Sequence, residues 1–345
     1  MVGPITPPAG GISIHIERLV SLLQHEFIFD YIDEARTIKK EYFNIRELNV
    51  FKYIKKFKNA DLIYIHSGNK FLKKIHILIG KAFNKKIIIT FHGFGNINNY
   101  LVKPLDKIIY RLANKIIVVN NEIAEILKLP KNKYLLRPAF LPPIMSKETL
   151  LPDYLINRIN EAKSNNKLII CSNASRLNIF NNQDLYGLDM CIQLSLQLRD
   201  IGEKFLFVFN VSSLDEGYEM YKNAEETILK AKLCDHFILI NENISFVKLI
   251  ESANIVLRTT NTDGDAISVR EALYLNKIVF ASDIVERPNG TLLFKNRNHE
   301  DLFRKIMEQL INIKNKIINK EETNAQFIEH KIFYKTLIEK TIFSS

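Results

Sequence analysis

Short apolar runs rich in β-branched residues alternate with stretches of helical period along most of this chain. Strands that alternate with helices are joined by right-handed crossovers, so the pattern predicts parallel sheets covered by helices on both faces. The runs that predict buried strands lie at 61–67, 85–93, 115–121, 167–175, 204–211, 236–240, 254–260 and 277–283. The sequence therefore indicates an α/β fold.

The alternation is interrupted once, at 137–145, where three prolines predict a linker. We therefore expect two α/β domains, at 1–145 and 146–325, an ordinary division for a chain of 345 residues. The last stretch, 326–345, lies beyond the second sheet and predicts a helix that packs back toward the first domain. Only residues 1–5 precede the first glycine loop, so the first strand of the N-terminal sheet should be almost absent.

The positive charge of the chain lies entirely in the first domain. Residues 1–145 hold 23 Lys and Arg against 11 Asp and Glu, a net charge of +12, whereas the rest has 25 against 27, a net charge of −2. Such a half suits either an anionic partner or a solvated, lysine-rich surface. The stretch 69–86 mixes lysines, Lys73 among them, with large apolar residues. It predicts a basic amphipathic helix that either lies on an anionic membrane or packs on the sheet with a solvated lysine face.

Cysteine usage and the N-terminus suit a cytoplasmic protein. The three cysteines, Cys171, Cys191 and Cys234, are widely spaced, which argues against a disulfide framework and against a zinc site. No basic start with an apolar region opens the chain, and no apolar run approaches the ~20 residues that span a bilayer. We expect neither a signal peptide nor a membrane span. Peripheral attachment to the inner face of the membrane remains compatible with the basic half.

Three carboxylates meet where the strand at 254–260 turns into a helix. Asp263 precedes that helix and is not needed as a cap, whereas Asp265 is either its N-cap or a ligand contact. Glu271 falls four residues after Ile267 and so shares its face of the helix. A partly buried carboxylate needs hydrogen-bond donors, and ribose hydroxyls are suitable. A metal site of the Asp-x-Asp kind is disfavoured, because no third ligand stands nearby and the calcium-loop spacing is absent.

Backbone amides in the same segment favour an anion. The N–H groups of Gly264, Asp265, Ala266 and Ile267 would lie at the helix N-terminus, where the helix dipole attracts a phosphate. This edge of the sheet could therefore hold a phosphate.

Other strand-to-helix loops carry further candidates. Gly10 and Gly11 precede a helical period, and paired glycines there allow either a close phosphate or sugar or simply a tight turn. His92 ends an apolar strand, a position that suits acid/base work or a hydroxyl contact, or else a hydrogen bond within its loop. Arg176 stands near a strand end, where a guanidinium can bind a diphosphate or remain a surface charge.

Residues 258–294 resemble the retaining glycosyltransferases of the GT-B fold, in the large family 4-like group that includes bacterial surface-polysaccharide enzymes. That family carries Glu, seven residues, then Glu-Ala, and a strand ending near Ser-Asp; Asp263, Glu271 and "VFASD" fit this frame. "PPAGGISIHIERL" resembles its glycine loop and "TFHGFG" its histidine loop. The resemblance implies two Rossmann-like domains, an acceptor-side one and a nucleotide-sugar-binding one, with parallel sheets facing across a cleft.

The resemblance also implies roles for single residues. Glu271 would bind the donor ribose, and Asp263 would lie near the hydroxyls of the donor sugar. The backbone from Gly264 to Ile267 would hold the diphosphate, Arg176 would neutralise it as it leaves, and His92 would face the reacting sugar and the acceptor. Such enzymes need no metal or other cofactor, because cationic side chains and a helix N-terminus provide the positive charge.

Gly10, Gly11 and Tyr186 would complete the donor site, but two positions depart from the family pattern. Asp263 is one methylene shorter than the usual glutamate, and Tyr186 stands where a lysine is usual, in "LYGLD". The tyrosine removes one of two expected cations on the leaving group. Arg176 then acts alone, or another Lys or Arg enters from elsewhere.

The sequence thus favours a retaining glycosyltransferase that moves a sugar from a nucleotide-sugar donor to a hydroxyl of a glycan acceptor. A polyprenyl-diphosphate-linked acceptor in surface polysaccharide synthesis, such as capsule, O-antigen or exopolysaccharide, fits the basic first half. A non-catalytic protein of the same fold that binds a nucleotide sugar or a partner enzyme is the alternative, and a nucleotide-sugar 2-epimerase is a third. Nucleic acid is not an expected partner, because no aromatic and basic recognition motif is present.

Overall fold

The computed structural model describes residues 1–7, 10–93, 103–214, 217–263, 266–313 and 321–343. The chain divides into two compact units. Unit 1 comprises Met1–Pro142 and Asn324–Ser345, and unit 2 comprises Pro143–Thr323. In the part of the chain that is described, no helix is both long enough and apolar enough to cross a membrane.

Unit 1 is built on a seven-stranded sheet in the order β3-β2-β1-β4-β5-β6-β7, in which neighbouring strands run parallel. The strands are β1 (Val2–Gly3), β2 (Ile32–Asp33), β3 (Phe43–Asn44), β4 (Leu62–Ile65), β5 (Lys86–Phe91), β6 (Lys115–Val118) and β7 (Tyr134–Leu136). The helices between them are α1 (Gly11–Leu23), α2 (Val50–Asn59), α3 (Lys70–Ala82), α4 (Pro104–Arg111) and α5 (Asn121–Leu127).

Unit 2 has a six-stranded parallel sheet in the order β12-β11-β8-β13-β14-β15 and a separate hairpin, β9–β10. Its strands are β8 (Leu168–Arg176), β9 (Ile179–Phe180), β10 (Gln183–Asp184), β11 (Phe205–Ser213), β12 (Phe237–Ile240), β13 (Ile255–Arg258), β14 (Ile278–Ser282) and β15 (Leu292–Phe294). Its helices are α6 (Asp153–Ser164), α7 (Leu188–Asp200), α8 (Tyr218–Lys230), α9 (Phe246–Ser252), α10 (Ile267–Tyr274) and α11 (His299–Ile313).

Both sheets are apolar on both faces, as buried parallel sheets require. In β5, Ile87 and Ile89 enter one core and Ile88 enters the core on the opposite face. In β11, Phe207 and Val208 divide between two cores in the same way. The predicted α/β class with two parallel sheets is confirmed.

The expected weakness of the first strand is also confirmed, since β1 has two residues. It nevertheless lies inside the sheet, between β2 and β4. Gly3 in β1 has a φ of +153°, and a Cβ there would lie 2.9 Å from Ile16 Cδ1 and 3.2 Å from His66 Cβ. A glycine at this position therefore lets α1 approach the end of β4 closely.

A last helix, α12 (Glu321–Phe343), follows unit 2, and its larger part belongs to unit 1. Tyr334, Leu337 and Ile338 are buried there in one core with Leu19 and Tyr64. The residues that complete the core of unit 1 therefore follow unit 2 in the sequence.

Candidate functional site

The strand order in the sheet of unit 2 reverses between β8 and β13. From β8, the first strand of the unit, the chain first adds β11 and β12 on one side and then β13, β14 and β15 on the other. Ligands of open parallel sheets bind beyond the carboxyl ends of the strands at such a switch point. Arg176 is the last residue of β8, and Arg258 is the last residue of β13. Both guanidinium groups thus start from the edge of the sheet where a ligand is expected.

Asp263 is held between two arginines at this edge. Arg258 donates from Nε to Oδ2 and from Nη2 to Oδ1, both at 2.9 Å, which is the two-pronged geometry of a strong guanidinium–carboxylate pair. Arg287 donates from Nη1 to Oδ2 at 2.8 Å, and Thr260 Oγ1 donates to the same oxygen at 3.1 Å. The backbone oxygen of Ser282, at the end of β14, accepts from Arg287 Nε at 3.2 Å.

This group of residues, the Arg258–Asp263–Arg287 cluster, is buried and carries an excess of positive charge. The three side chains are 14%, 8% and 2% exposed, and two guanidinium groups face one carboxylate. Burial alone would raise the pKa of Asp263, but the hydrogen bonds and charges of both arginines lower it to about 2. Burial opposes the charge of Arg258, yet Asp263 raises its pKa. The cluster therefore keeps its charges at neutral pH and attracts an anion.

Tyr186 connects this cluster to β8. Its Oη lies 2.7 Å from Ser175 Oγ, next to Arg176, and the guanidinium carbon of Arg258 lies 5.3 Å from its ring centre. Where the family resemblance leads one to expect a lysine, the structure thus has an aromatic ring that contacts an arginine from β13. The guanidinium of Arg258 thus lies over the ring, although Arg258 is not at the sequence position of the expected lysine.

The helix that begins beside the cluster offers a second attraction for an anion. Ala266 is the N-cap of α10 and has no side chain that could cap it, and Ile267 is the first helical residue. The amides of that first turn are therefore not satisfied by the cap. Gly264 and Asp265, the other predicted phosphate contacts, lie outside the described residues. Glu271 is 5% exposed within α10.

Arg176 itself is exposed at the end of β8. Asp184 lies just before the N-cap of α7, Gly187, and accepts from the amides of Tyr186 at 2.9 Å and of Leu188, the first residue of that helix, at 2.8 Å. Asp189 pairs with Arg297 on the surface. These two acids are therefore structural, and the cations remain as the groups that can meet a ligand.

The sheet of unit 1 has its own switch point, between β1 and β4, and three histidines meet there. His66 follows β4, His92 follows β5, and His15 lies in α1. His15 and His66 are buried, and His92 is half-buried. Gly10 is the N-cap of α1 and donates from its amide to Ser13 Oγ at 2.9 Å, while Gly11 is the first helical residue.

The hydrogen bonds of these rings restrict their tautomers. His15 Nδ1 lies 2.6 Å from the carbonyl oxygen of Ala139, which can only accept, so Nδ1 carries the hydrogen. His66 Nδ1 lies 3.0 Å from His92 Nε2. Burial lowers the pKa of His15 to about 4, against the opposing effect of its bond to Ala139. Burial holds the pKa values of His66 and His92 well below 6.5, and the charge that a protonated His15 would carry lowers them further. The rings are therefore neutral near pH 7.

Known structures of the same architecture were found by comparison of the folds. A glycosyltransferase from Rickettsia africae matches with a TM-score of 0.66 and 16% identity, over 100% of this chain and 98% of that one. HepE from Anabaena, in complex with UDP, matches with a TM-score of 0.67 and 13% identity, over 100% and 99%. The chain has the GT-B fold.

The lipopolysaccharide outer core galactosyltransferase WaaB, in its apo form, also matches, with a TM-score of 0.60 and 11% identity, over 99% of this chain and 98% of that one. No sequence-family profile matches the chain, and no curated protein matches it in sequence. At these identities the GT-B likeness establishes the architecture of the two units. What the protein does has to be argued from its own residues.

Sequence reasoning had placed His92, Arg176 and Asp263 at strand ends, but it did not single out four residues that contact or lie close to them. Arg258 stands within an apolar strand pattern, and Arg287 lies 24 residues after Asp263, so their pairing left no local signal. His15 lies inside a stretch of helical period, and His66 lies at the end of a strand pattern. The topology rule that strand ends share one edge could have brought His66 to His92.

Proposed function

We propose that this protein is a glycosyltransferase that moves a sugar from a nucleotide-sugar donor to a hydroxyl of an acceptor, with retention of the anomeric configuration. The observation that carries the proposal is the Arg258–Asp263–Arg287 cluster, a buried excess of positive charge at the switch point of unit 2. A nucleoside diphosphate supplies the anion that this edge attracts. UDP is the nucleotide we favour, because HepE, of the same fold, was crystallised with it.

The cluster assigns the positive charge of the donor site to arginines of this chain. Arg258 and Arg287, with Arg176 at the neighbouring strand end, would neutralise the diphosphate as it leaves, together with the first turn of α10. The main role of Asp263 would be to orient both arginines. Its contact with the donor sugar would be a secondary role. We expect no metal in the transfer step, because these cations provide the charge that an ion would otherwise supply.

The remaining roles follow from position. Glu271, buried in α10, would accept from ribose hydroxyls, and Tyr186 would lie against the donor beside Arg258. In unit 1, Gly10, Gly11 and His92 would meet the reacting sugar and the acceptor. The acceptor oxygen would form a bond to the anomeric carbon as the bond between that carbon and the diphosphate oxygen breaks. The proton of the acceptor hydroxyl would leave with the diphosphate.

Binding of UDP to variants of the cluster tests this proposal. Arg258→Ala should weaken UDP binding by at least tenfold in calorimetry, because it removes a charge-assisted contact to the diphosphate. Arg304→Ala is the matched control, since Arg304 lies on α11 and pairs, among the described residues, with two carboxylates of its own helix, Asp301 and Glu308. If no nucleoside diphosphate binds the wild type, or if Arg258→Ala binds UDP unchanged, the donor site is wrong.

Turnover needs a separate measurement. Wild-type protein incubated with a panel of nucleotide sugars and glycan acceptors should form a glycoside with the anomeric configuration of the donor, as read by proton NMR. Glu271→Ala should abolish transfer while the protein stays folded. A protein that binds UDP but leaves every donor intact would support the non-catalytic alternative.

We further propose that unit 1 meets its acceptor at an anionic membrane surface on the cytoplasmic side, as a lipid-linked glycan would require. α3 and α4 are joined by an ion pair between Lys74 Nζ and Asp106 Oδ1, at 2.6 Å. Large apolar side chains project from both helices at helical spacing: Phe71 and Leu78 on α3, and Leu105 and Ile108 on α4, with Leu112 just beyond its end.

Basic residues surround this apolar surface. Lys70, Lys103 and Arg111 are exposed on or beside the two helices. Lys73, in contrast, does not join the solvated lysine face that the sequence pattern suggested. It is 6% exposed, with Nζ 4.0 Å from the centre of the Phe91 ring. Apolar anchors ringed by cations are the features that hold a helix pair on anionic lipid.

Vesicle flotation tests the membrane surface. Wild-type protein should float with vesicles that contain phosphatidylglycerol and should be released by salt, because the basic residues act through screened charge. Ile108→Glu should abolish flotation, whereas Ile28→Glu, at an exposed isoleucine elsewhere on unit 1, should not. Equal flotation of both variants, or none for the wild type, would contradict the proposal.

A further inference from the structure

We propose that His15, His66 and His92 form a binding site for a divalent transition-metal ion that prefers imidazole nitrogen, of which Zn²⁺ is the type. The three rings come from α1 and from the ends of β4 and β5, and one ring nitrogen of each lies within 4.8 Å of the others. The wide spacing of the cysteines argues against a thiolate site, but it has no bearing on three histidines that the topology brings together.

The rings are spaced as the imidazoles of a tetrahedral site are. Their centroids are separated by 5.2 Å for His15 and His66, by 4.7 Å for His15 and His92, and by 5.3 Å for His66 and His92. Zn–N bonds of about 2.0–2.1 Å at tetrahedral angles place imidazole centroids about 5.2 Å apart. Small side-chain rotations would therefore bring three nitrogens onto one ion. Packed rings of other kinds can also lie this close, and the hydrogen bonding of the ring nitrogens distinguishes a metal site from them.

Two buried nitrogens in the cluster have no hydrogen-bond partner among the described residues, His15 Nε2 and His66 Nε2. A buried nitrogen without a hydrogen-bond partner lowers the stability of the fold by about 1–3 kcal/mol. Such atoms are therefore rare, and a bound ion or water often accounts for them. Since His15 donates from Nδ1 to the carbonyl oxygen of Ala139, its Nε2 bears a lone pair that points at no donor. A ring that donates one N–H to a backbone carbonyl and offers the other nitrogen is the usual arrangement of a metal ligand.

The donor set determines which ions fit. Three imidazoles suit Zn²⁺, Co²⁺ and Ni²⁺ and do not suit Mg²⁺ or Ca²⁺, which take oxygen ligands. Three ligands leave one tetrahedral position for a water. Neutral rings contribute no negative charge, and the ammonium of Lys73 lies over Phe91, next to His92 in sequence. The charge balance is therefore less favourable for a cation than that of a thiolate site.

The test uses the full chain without an affinity tag, freed of metal by a chelator. Competition with a chromophoric chelator should give one Zn²⁺ per chain, and added Co²⁺ should develop the intense visible absorption of a tetrahedral site. His15→Asn is the diagnostic variant, because the asparagine amide can keep the bond to Ala139 while Nε2 is lost. It should raise the Kd for Zn²⁺ at least tenfold, whereas His25→Asn, at an exposed histidine just beyond α1, should leave it unchanged.

Stoichiometric binding lost in His15→Asn supports the site. Absence of binding, or equal binding by His15→Asn and the wild type, overturns it and assigns the unpartnered nitrogens to buried water instead. The inference does not rest on the proposed transfer reaction, whose counter-charges lie in unit 2. A protein that binds zinc but no nucleotide would refute the proposed function alone, and one that binds UDP but no zinc would refute this inference alone.

Discussion

Asp263 accepts hydrogen bonds at both carboxylate oxygens: Arg258, Arg287 and Thr260 donate to Oδ2, and Arg258 also donates to Oδ1. The side chain is one methylene shorter than a glutamate, and at this length it lies between two guanidinium groups. Its charge matters to the cluster more than its reach does. Removing the charge would leave two buried cations facing each other with no anion between them.

We predict that Asp263→Asn lowers the free energy of unfolding of unit 2 at pH 7 by about 2 kcal/mol, the value that a fall in pKa from 3.8 to about 2 implies. A carboxylate with a lowered pKa stabilises the folded state above its unfolded pKa, and this contribution is lost as pH falls through the folded pKa. The difference between the wild type and the variant should therefore be constant from pH 7 to about 5 and fall by roughly half at pH 3.

Urea denaturation across that pH range measures the difference. Asp235→Asn, at an exposed aspartate of the same unit, is the control and should show no such dependence. A gap between wild type and Asp263→Asn that stays the same at pH 3 would mean that the ion pairs contribute nothing to stability.

The sequence could predict single residues only where the signal was local. His92 and Arg176 could be proposed as site residues because each lies at the end of an apolar strand, and topology brings strand ends to one edge. Arg258 also ends a strand, but its function depends on Asp263 and Arg287, and no spacing rule links these three. Side-chain pairing across a loop is a tertiary property, which one sequence does not record.

At the scale of elements, strand length decided what could be predicted. Buried runs such as β5 and β11, with six and nine residues, were recognised because each contains consecutive apolar residues, 87–89 in β5 and 205–209 in β11. The two-residue strands β2 and β3 were missed, because two residues carry no period. The start of α7 depends on Gly187, whose φ of +68° and contact with Thr259 do not appear in any pattern of apolar residues.

We predict that Gly187→Ala destabilises unit 2 by about 3 kcal/mol. A Cβ at Gly187 would lie 2.5 Å from the backbone oxygen of Thr259, in addition to the strain of a left-handed backbone. Gly202→Ala separates the two effects, because Gly202 has a similar φ of +75° and nothing within 4 Å of the added methyl. It should cost about 1 kcal/mol in urea denaturation. Equal losses for both variants would show that the contact with Thr259 is relieved at no cost.

At the scale of the whole molecule, the order of the chain and the order of the cores differ. Unit 2 is one continuous segment, Pro143–Thr323, whereas unit 1 needs its first 142 residues and the helix α12 from the other end of the chain. Hydrophobic pattern predicts that α12 exists, but only the core it enters shows why the chain returns. Unit 1 therefore depends on residues that are synthesised after unit 2, whereas unit 2 needs no residues from beyond its own segment.

We predict that Tyr334→Ala destabilises unit 1 by about 3 kcal/mol, because its ring is fully buried in the core that α12 shares with α1 and the sheet. Tyr334→Phe should cost nothing or stabilise, since the Oη of Tyr334 is buried without a partner among the described residues. Ile332→Ala, at a residue of α12 that is 60% exposed, should change stability by less than about 0.5 kcal/mol.

Urea denaturation followed by hydrogen exchange would assign each loss to a unit. Exchange should increase in β4 and β5 of Tyr334→Ala and stay unchanged in β8 and β11, because the deleted ring is buried in a core whose described members belong to unit 1. UDP should still raise the melting temperature of unit 2 in this variant if the donor site is contained in that unit, as the cluster suggests. Exchange that rises equally in both sheets would instead mean that the two units unfold as one.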